Sequence, residues 1–154
     1  MSVAEFWRRF LAETGRDGAT EYMDCYNFCA TEELANELLS LVLSGQKCAT
    51  SSAVAAYEAE GERLPQVGDL CIVTDWDGKP GCVIETTAVT VLPFCEMTFE
   101  ICSREGEDET LESWQEGHRR FFAEDARALG YEFSEEMAIV FEDFKVVYTA
   151  EGAR

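Results

Sequence analysis

The N-terminal third of the chain carries apolar side chains at helical spacing. The first set occupies positions i, i+3, i+4, i+7 and i+8, on one face of a helix: Val3, Phe6, Trp7, Phe10 and Leu11. Ser2 and Glu5 form a capping box before this helix, and Gly15 ends it. Thr31 caps a second helix, which ends at Gly45. Its apolar face is made of Leu34, Leu38, Leu39 and Val42. The segment between the helices is predicted to be a loop, with aromatic residues Tyr22, Tyr26 and Phe28.

In the second half of the chain the hydrophobic period changes to two. Residues 69–76 and 81–92 are rich in β-forming side chains and are joined by an Asp-Gly-Lys-Pro turn, which predicts a hairpin. A short helix is predicted over residues 96–104 and a long one over about 111–129. Residues 138–148 are predicted to form a final strand or strand pair. Helices early in the chain and strands later are typical of an α+β domain with a mostly antiparallel sheet.

Length and composition agree with a single folded domain over residues 1–154. A chain of 154 residues, 47% of them apolar, is large enough to bury a core and too apolar to be disordered. No segment reaches the roughly 18 consecutive apolar residues of a membrane span. The N-terminus is amphipathic and lacks the basic and apolar regions of a signal peptide. We therefore expect a soluble, cytoplasmic protein.

Acidity restricts the partners that this chain can bind. Twelve basic and 31 acidic residues give a formal net charge of −19. Nucleic-acid affinity depends largely on lysine and arginine, which displace counterions from phosphates, so this charge disfavours the clamping of long RNA or DNA. Anionic membranes are disfavoured for the same reason. A small nucleoside or a short single-stranded RNA in a local pocket remains compatible with the charge.

The cysteine and histidine content gives little material for a metal site. Seven cysteines and one histidine are present, without any Cys-x-x-Cys pair. The odd number of cysteines in a chain without a secretory signal predicts reduced thiols. We expect no metal and no cofactor. The acidic run 105–109 is interpreted as a solvated loop.

The segment from Gly45 to Ser52 offers the first candidate chemistry. Lys47 is one of three lysines in the chain and is followed by three hydroxyl residues, Thr50, Ser51 and Ser52. We interpret the segment as a polar loop that leads into a short helix at about 52–59. A lysine and hydroxyls at a helix N-terminus suit an anionic or carbonyl oxygen. The alternative is an ordinary solvated loop in which a hydroxyl caps the helix.

Glu85, Trp114 and His118 are the other candidates. Glu85 lies in an otherwise uncharged run, where burial would raise its pKa toward that of a general base. If its side chain faces outward, it is an ordinary surface residue. Trp114 and His118 are one helical turn apart, so an exposed pair could stack on a base and hydrogen-bond to it. The alternative is a core tryptophan beside a histidine whose hydrogen bonds are satisfied.

Five segments follow one another along the chain: Gly45-x-Lys47-x-x-Thr50, Pro65-x-Val67-Gly68-Asp69, Val83-Ile84-Glu85, Leu111-Glu-Ser-Trp114-Gln-Glu-Gly-His118, and Phe133-Ser-Glu-Glu-Met137 through Val147-Tyr148. In this order they resemble the ASCH domain family, and in particular its small, acidic, bacterial single-domain branch. The resemblance covers about residues 32–148 and leaves 1–15 as an added N-terminal helix. It implies a PUA-like fold, that is, a small β-barrel or strongly curved, mostly antiparallel sheet flanked by helices.

The resemblance also implies RNA or nucleoside handling in a cleft beside the lysine-bearing loop. Some small bacterial members hydrolyse N4-acetylcytidine to cytidine and acetate with a lysine, a threonine and a glutamate, which match Lys47, Thr50 and Glu85. Many members carry an arginine two positions after the threonine, where this chain has Ser52. The missing arginine weakens an RNA-binding role more than a nucleoside-binding one.

Four functional hypotheses follow. In the first, an amidohydrolase uses Glu85 as general base and acid, Lys47 to stabilise the oxyanion and Thr50 as nucleophile or positioning donor. Gly45, Ser51 and Ser52, together with Trp114 and His118, would contact the ligand. In the second, the same cleft binds a modified nucleotide or a short single-stranded RNA without catalysis. A ribonuclease and a protein-interaction domain that docks through its N-terminal helix are the remaining alternatives.

Overall fold

The computed structural model describes residues 1–28 and 31–154 and shows a mixed α+β chain. The helices are α1 (Val3–Glu13), α2 (Glu32–Ser44), α3 (Val54–Glu60), α4 (Phe99–Cys102) and α5 (Leu111–Leu129). The strands are β1 (Asp24–Tyr26), β2 (Ala49–Ala53), β3 (Leu70–Thr74), β4 (Pro80–Pro93), β5 (Ala138–Thr149) and β6 (Gly152–Ala153). Short 3-10 turns cover Phe94–Glu96 and Ser103–Glu105.

These strands form a mixed sheet in the order β1-β3-β4-β5-β2, with β6 added to β5. The pairs β3–β4, β2–β5 and β5–β6 are antiparallel, whereas β1 lies parallel to β3. The α+β class and the mostly antiparallel sheet expected from the sequence are therefore confirmed. The described residues group into two compact units, and the single domain expected from the length stays a prediction.

The first unit comprises Met1–Lys47, Val67–Thr87 and Phe144–Arg154. Strand β3 is buried along its whole length because both of its faces are covered. One face packs with α1 in a cluster of Phe6, Trp7, Phe10, Leu11, Leu70, Ile72, Val83, Val147 and Tyr148. The other face packs with α2 in a cluster of Val42, Cys71, Val73, Cys82, Ile84 and Phe144. The predicted N-terminal helix is thus integrated into the core of this unit.

The second unit comprises Cys48–Gln66 and Ala88–Asp143. Its core is an aromatic cluster in which α5 packs on β2 and β5. The buried members are Ala49, Ala53, Phe94, Met97, Cys102, Trp114, Phe122, Ile139 and Phe141. Ala49 and Ala53 leave room for the large rings of α5, because they present only a methyl group on this face of β2. Phe121, which the sequence placed near the same helix face, is half exposed.

Local signals located the helix ends correctly. The capping box of Ser2 and Glu5 is present, and the Thr31 side chain accepts a hydrogen bond from the Leu34 N–H. Gly45 ends α2 with a φ of 86°, a left-handed conformation that favours glycine. The predicted hairpin is formed by β3 and β4, and the long helix spans Leu111–Leu129 as expected.

Two predicted loops are wrong. The segment before α2 contains strand β1, and the segment after Gly45 becomes strand β2 from Ala49 onward. The following helix begins at Val54, and no side chain caps its N-terminus. Thr50, Ser51 and Ser52 are therefore strand residues, so neither the helix N-terminal oxygen site nor the capping hydroxyl exists.

Candidate functional site

Lys47 lies between α2 and β2 and is almost completely buried, with 2% of its surface exposed. Its backbone N–H donates to the Leu41 carbonyl at 3.0 Å, which extends the turn that ends α2. Its Nζ lies 5.1 Å from the ring centroid of Phe28, close enough for a cation–π interaction. Phe28 packs against the core cluster that contains Val42 and Ile84. The Lys47 ammonium thus belongs to the α2 side of the first unit.

Glu85 lies on the opposite face of the same sheet. In the β3–β4 register it pairs with Leu70, whose side chain belongs to the cluster around α1. Its carboxylate forms ion pairs with Lys145 Nζ at 3.5 Å and Arg16 Nη2 at 4.0 Å. Its side chain is 23% exposed. Glu85 and Lys47 thus lie on opposite faces of the sheet, and Glu85 is a partly buried, ion-paired residue.

Strand β2 divides its hydroxyl groups between two faces. Successive side chains in a strand point to opposite faces, so Thr50 and Ser52 share one face while Ser51 lies on the other. Ser51 is paired with Phe141 and lies on the face covered by α5. Thr50 and Ser52 are half-buried on the reverse face. The three hydroxyls expected to act together are therefore separated by the strand.

Thr50 lies directly opposite Glu142 in the antiparallel pair of β2 and β5. Side chains of directly opposed residues lie on the same face, with Cβ atoms about 4.5–5.5 Å apart. Glu142 is only 9% exposed, which is rare for a carboxylate and costly without partners. The pair therefore places a half-buried threonine opposite a buried carboxylate. Sequence reasoning missed Glu142 because Asp143 and Lys145 follow it closely, whereas Glu85 was selected for its otherwise uncharged run.

Glu105 is the second buried carboxylate of this unit, and three polar side chains are among its partners. Its Oε2 accepts hydrogen bonds from Ser51 Oγ at 2.8 Å and from Trp114 Nε1 at 2.5 Å. Its Oε1 lies 3.5 Å from His118 Nε2. The side chain is 3% exposed, so its interpretation as part of a solvated acidic loop is wrong. Ser51, Trp114 and His118 were predicted as ligand contacts, and the structure instead brings them together around Glu105.

Trp114 and His118 stack on each other inside the core. Their ring centroids are 4.1 Å apart with an angle of 18° between the planes. Trp114 is fully buried and also stacks on Phe94, so its ring faces are unavailable to a base. The core alternative is therefore correct for Trp114. His118 remains partly accessible, and its Nδ1 donates to the Trp114 carbonyl at 2.9 Å when protonated.

The protonation of His118 is set by opposing effects. Burial acts to lower its pKa because it disfavours the charged ring. The hydrogen bond to Glu105 and the charge of that carboxylate act in the other direction, supported by the Trp114 carbonyl and by Glu107. The net result is a pKa raised above the usual histidine value. The imidazolium form is therefore favoured where it faces Glu105.

Arg104 holds the turn that carries Glu105 against β5. Its Nε and Nη2 donate to the two carboxylate oxygens of Asp143 at 2.6 Å and 3.3 Å, a bidentate pair. Its guanidinium also lies 5.2 Å from the ring centroid of Phe141. The Arg104 carbonyl accepts a hydrogen bond from the Cys48 N–H at 3.0 Å, which joins the same turn to the start of β2. Glu105 is thereby placed beneath Ser51.

Metal ligands, cysteines and membrane-spanning helices were each considered outside this site. Within residues 1–28 and 31–154, no group of three or more His, Cys, Asp or Glu side chains could hold a metal ion. The described cysteines are free thiols: Cys25, Cys48, Cys71, Cys82, Cys95 and Cys102. Cys29 lies outside the described residues. No described helix has the length and apolar character needed to cross a membrane.

Comparison of the sequence with known protein families shows which family the chain belongs to. A family model of the ASCH domain matches residues 24–148, which include β1 and β5 up to Tyr148. The chain belongs to the ASCH domain family. ASCH domains are PUA-like and, as a family, bind RNA. The match begins earlier than the resemblance at about residue 32, because β1 is part of the family fold.

Two solved ASCH-like structures resemble the chain closely. The ASCH domain from Lactobacillus crispatus JV V101 is 40% identical, with a TM-score of 0.83, over 93% of this chain and 92% of that chain. Protein EF3133 from Enterococcus faecalis V583 is 34% identical, with a TM-score of 0.88, over 94% of this chain and 87% of that chain. Among curated proteins, none matches this chain.

Proposed function

We propose that this ASCH domain binds a small cytidine-type nucleoside and hydrolyses its N4-acyl group without a metal ion. The observation that carries the proposal is the half-buried Thr50 opposite the buried carboxylate of Glu142. In this proposal Glu142 replaces Glu85 as general base. Glu85 is a poor candidate for that role. It forms ion pairs with Lys145 and Arg16 on the face of the sheet opposite Lys47.

The reaction needs one base, one nucleophile and one positive charge. Glu142 takes a proton from the nucleophile, which is the Thr50 hydroxyl or a water molecule that it holds, as the oxygen attacks the acyl carbon. The family resemblance assigns the positive charge that stabilises the oxyanion to Lys47. Glu142 then gives its proton to N4 as the C–N bond breaks. Cytidine and acetate are the products when the acyl group is acetyl, after water releases any acyl-threonine.

An uncharged substrate fits the electrostatics of the chain. At a net charge of −19, each phosphate brought to the surface meets long-range repulsion, whereas a nucleoside does not. Ser52, on the same face of β2 as Thr50, offers a hydroxyl rather than the positive charge that many members carry nearby. Gly45 contributes the left-handed end of α2, which fixes the chain direction into Lys47.

The test is acetate release from N4-acetylcytidine by metal-free protein. We expect Glu142→Gln to lower kcat at least about 100-fold, because general-base catalysis contributes about 10²–10⁴-fold. Glu85→Gln is the matched control and should keep kcat within about twofold, since the same charge is removed outside the proposed site. Thr50→Ala and Lys47→Met should also lose turnover while circular dichroism remains native.

Two results would contradict this proposal. Full activity of the Glu142→Gln variant together with loss of activity in Glu85→Gln would show that Glu85 is the general base, as expected from the sequence. Absence of turnover by the wild-type protein would exclude hydrolysis of this substrate. Binding of a ligand without catalysis, the second candidate function, would then be favoured.

The second candidate is a non-catalytic module for a modified nucleotide or a short single-stranded RNA. The RNA-binding character of the ASCH family favours it. A single local pocket predicts only one or two phosphate contacts, so log Kd should change with log salt by a slope of about 0.7 for each contact. A slope that corresponds to six or more contacts would exclude such a pocket. Binding by the Glu142→Gln variant would be retained.

A further inference from the structure

Arg104 contacts both β5 and the residue at which the chain enters β2. Its Nε and Nη2 donate to the two carboxylate oxygens of Asp143 at 2.6 Å and 3.3 Å. Its guanidinium lies 5.2 Å from the ring centroid of Phe141 in the same strand. Its main-chain carbonyl accepts a hydrogen bond from the Cys48 N–H at 3.0 Å, directly before β2 begins. One residue therefore holds β5 with its side chain and β2 with its backbone.

The two β5 residues that Arg104 contacts are the neighbours of Glu142 on either side. Successive strand residues point to opposite faces, so Phe141 and Asp143 share one face and the Glu142 side chain leaves on the other. A bidentate pair of arginine and carboxylate fixes distance and direction together, because two N–H groups must align with two oxygens. The contacts of Arg104 with Phe141 and Asp143 therefore help to fix the backbone that carries Glu142.

Strand β2 depends on such contacts because it lies at the end of the sheet. It is the last strand in the sheet order, and it pairs with β5. It has only five residues, and alanine and serine are not strong strand formers. The turn Ser103–Glu105 contacts this segment twice, at the Cys48 N–H and at Ser51 Oγ, which donates to Glu105 at 2.8 Å. The position of β2 on β5 therefore follows the position of this turn.

The register that the turn supports brings the candidate catalytic residues together. Ala49 lies opposite Asp143, and Thr50 lies opposite Glu142. Directly opposed Cβ atoms are about 4.5–5.5 Å apart, and a general base must come within about 2.6–3.2 Å of the atom that gives up its proton. A misplacement of about 1 Å can lower a rate about 100-fold. A small shift of β2 along or away from β5 would therefore impair the reaction.

We propose that Arg104 is a positioning residue, which couples β2 to β5 and thereby sets the distance from Thr50 to Glu142. It acts through Asp143 and Phe141, on the face of β5 opposite Glu142. The effect on turnover rests on the proposed hydrolysis, whereas the coupling of the two strands does not.

The first test is Arg104→Lys, which keeps the positive charge and loses the planar pair of donors. With N4-acetylcytidine, this variant should lower kcat about tenfold or more and leave KM within about twofold, because orientation and not substrate binding is disturbed. Arg119→Lys is the matched control in the same unit. Arg119 also donates to a carboxylate, that of Glu135 at 2.8 Å, and lies 5.5 Å from the ring centroid of Phe94. The control should keep the wild-type kcat, since neither partner belongs to β2 or β5.

Asp143→Asn tests the same contact from the other strand and also serves if Arg104→Lys fails to fold. The double variant should lose no more activity than the more affected single variant, because either substitution already breaks the pair. Losses in kcat that multiply in the double variant would overturn the proposal. Full activity of Arg104→Lys together with loss in Arg104→Gln would also overturn it, since the charge alone would then matter.

Hydrogen exchange tests the coupling of the strands without any substrate. Protection of the β2 amides should fall about tenfold in Arg104→Lys while that of β3 remains constant, and Arg119→Lys should change neither. If the wild type releases no acetate, lost protection of β2 in Arg104→Lys would still support the coupling, and the hydrolysis alone would be contradicted. Unchanged protection of β2 in Arg104→Lys, or full turnover despite lost protection, would overturn the proposal.

Discussion

Trp114→Phe is expected to destabilise the protein more than Trp7→Phe, although the two substitutions are chemically identical. Both tryptophans are buried, and both donate their indole N–H to an oxygen. Trp114 donates to the carboxylate of Glu105 at 2.5 Å, whereas Trp7 donates to the neutral carbonyl of Thr20 at 2.9 Å. The comparison therefore isolates the charge of the acceptor.

The expected difference follows from the two kinds of acceptor. Each substitution removes the same ring atoms, so the loss of buried apolar area largely cancels in the comparison. A hydrogen bond to a charged group contributes about 1.5–3 kcal/mol, and one between neutral groups about 0.5–1.5 kcal/mol. Trp114→Phe should consequently lower the free energy of unfolding by about 1–2 kcal/mol more than Trp7→Phe does. Ser51 and His118 remain as partners of Glu105, which keeps the loss within this range.

Urea unfolding near neutral pH measures this difference. Far-ultraviolet circular dichroism is the appropriate signal, because removal of a tryptophan alters the fluorescence signal itself. Equal denaturant slopes for the two variants would show that the comparison concerns the native state. If Trp7→Phe proved equally or more destabilising, the inference that Glu105 is an ionised acceptor for Trp114 would be refuted.

Two further predictions concern pH and backbone conformation. Because the pKa of His118 is raised in the folded state, its contribution to stability is complete below the unfolded value of about 6.5 and is lost as pH rises through the folded pKa. Urea titrations over that range should show a falling free energy of unfolding for the wild type and a smaller fall for His118→Gln. Gly45→Ala should cost about 1 kcal/mol through its φ of 86° alone, since no atom lies within 4 Å of the added Cβ. Gly18→Ala, at a site with equal space and no positive φ, should be close to neutral in the same assay.

The parts of the fold that follow from neighbouring residues were predictable from the sequence. Helix α1 has its capping box, α5 has its apolar face, and the β3–β4 hairpin has its turn, all within short stretches of chain. Strands β1 and β2 were missed because their partners are β3 and β5, which lie far away in sequence. A strand of Ala, Thr and Ser has little intrinsic preference, so its long-range pairing decides its conformation.

The candidate site was predictable only in part for the same reason. Lys47 and Thr50 were selected by local pattern and family resemblance, and Glu85 by its apolar neighbours. The local pattern favoured Glu85 over Glu142, because the run around Glu85 is otherwise uncharged whereas Asp143 directly follows Glu142. The β2–β5 register places Glu142 opposite Thr50, and this register is a property of the folded sheet. Glu105 was missed because it belongs to the acidic run 105–109. The high density of charge in this run predicts a solvated loop and gives no sign that Glu105 is buried.

Side chains along β2 point alternately to its two faces, so the three adjacent hydroxyl residues Thr50, Ser51 and Ser52 have different roles. Ser51 points toward α5 and is used by Glu105, so its hydroxyl stabilises the core. Thr50 and Ser52 leave the strand on the other side, where Thr50 faces Glu142. Ala49 and Ala53 flank them on the side of α5 and allow the close packing of Trp114. A Thr-Ser-Ser sequence that resembles a polar loop is thus part of a strand, with a structural hydroxyl on one face and the proposed catalytic hydroxyl on the other. The contact between Ser51 and Glu105 therefore also helps to position Thr50, because consecutive strand residues share one backbone and point to opposite faces.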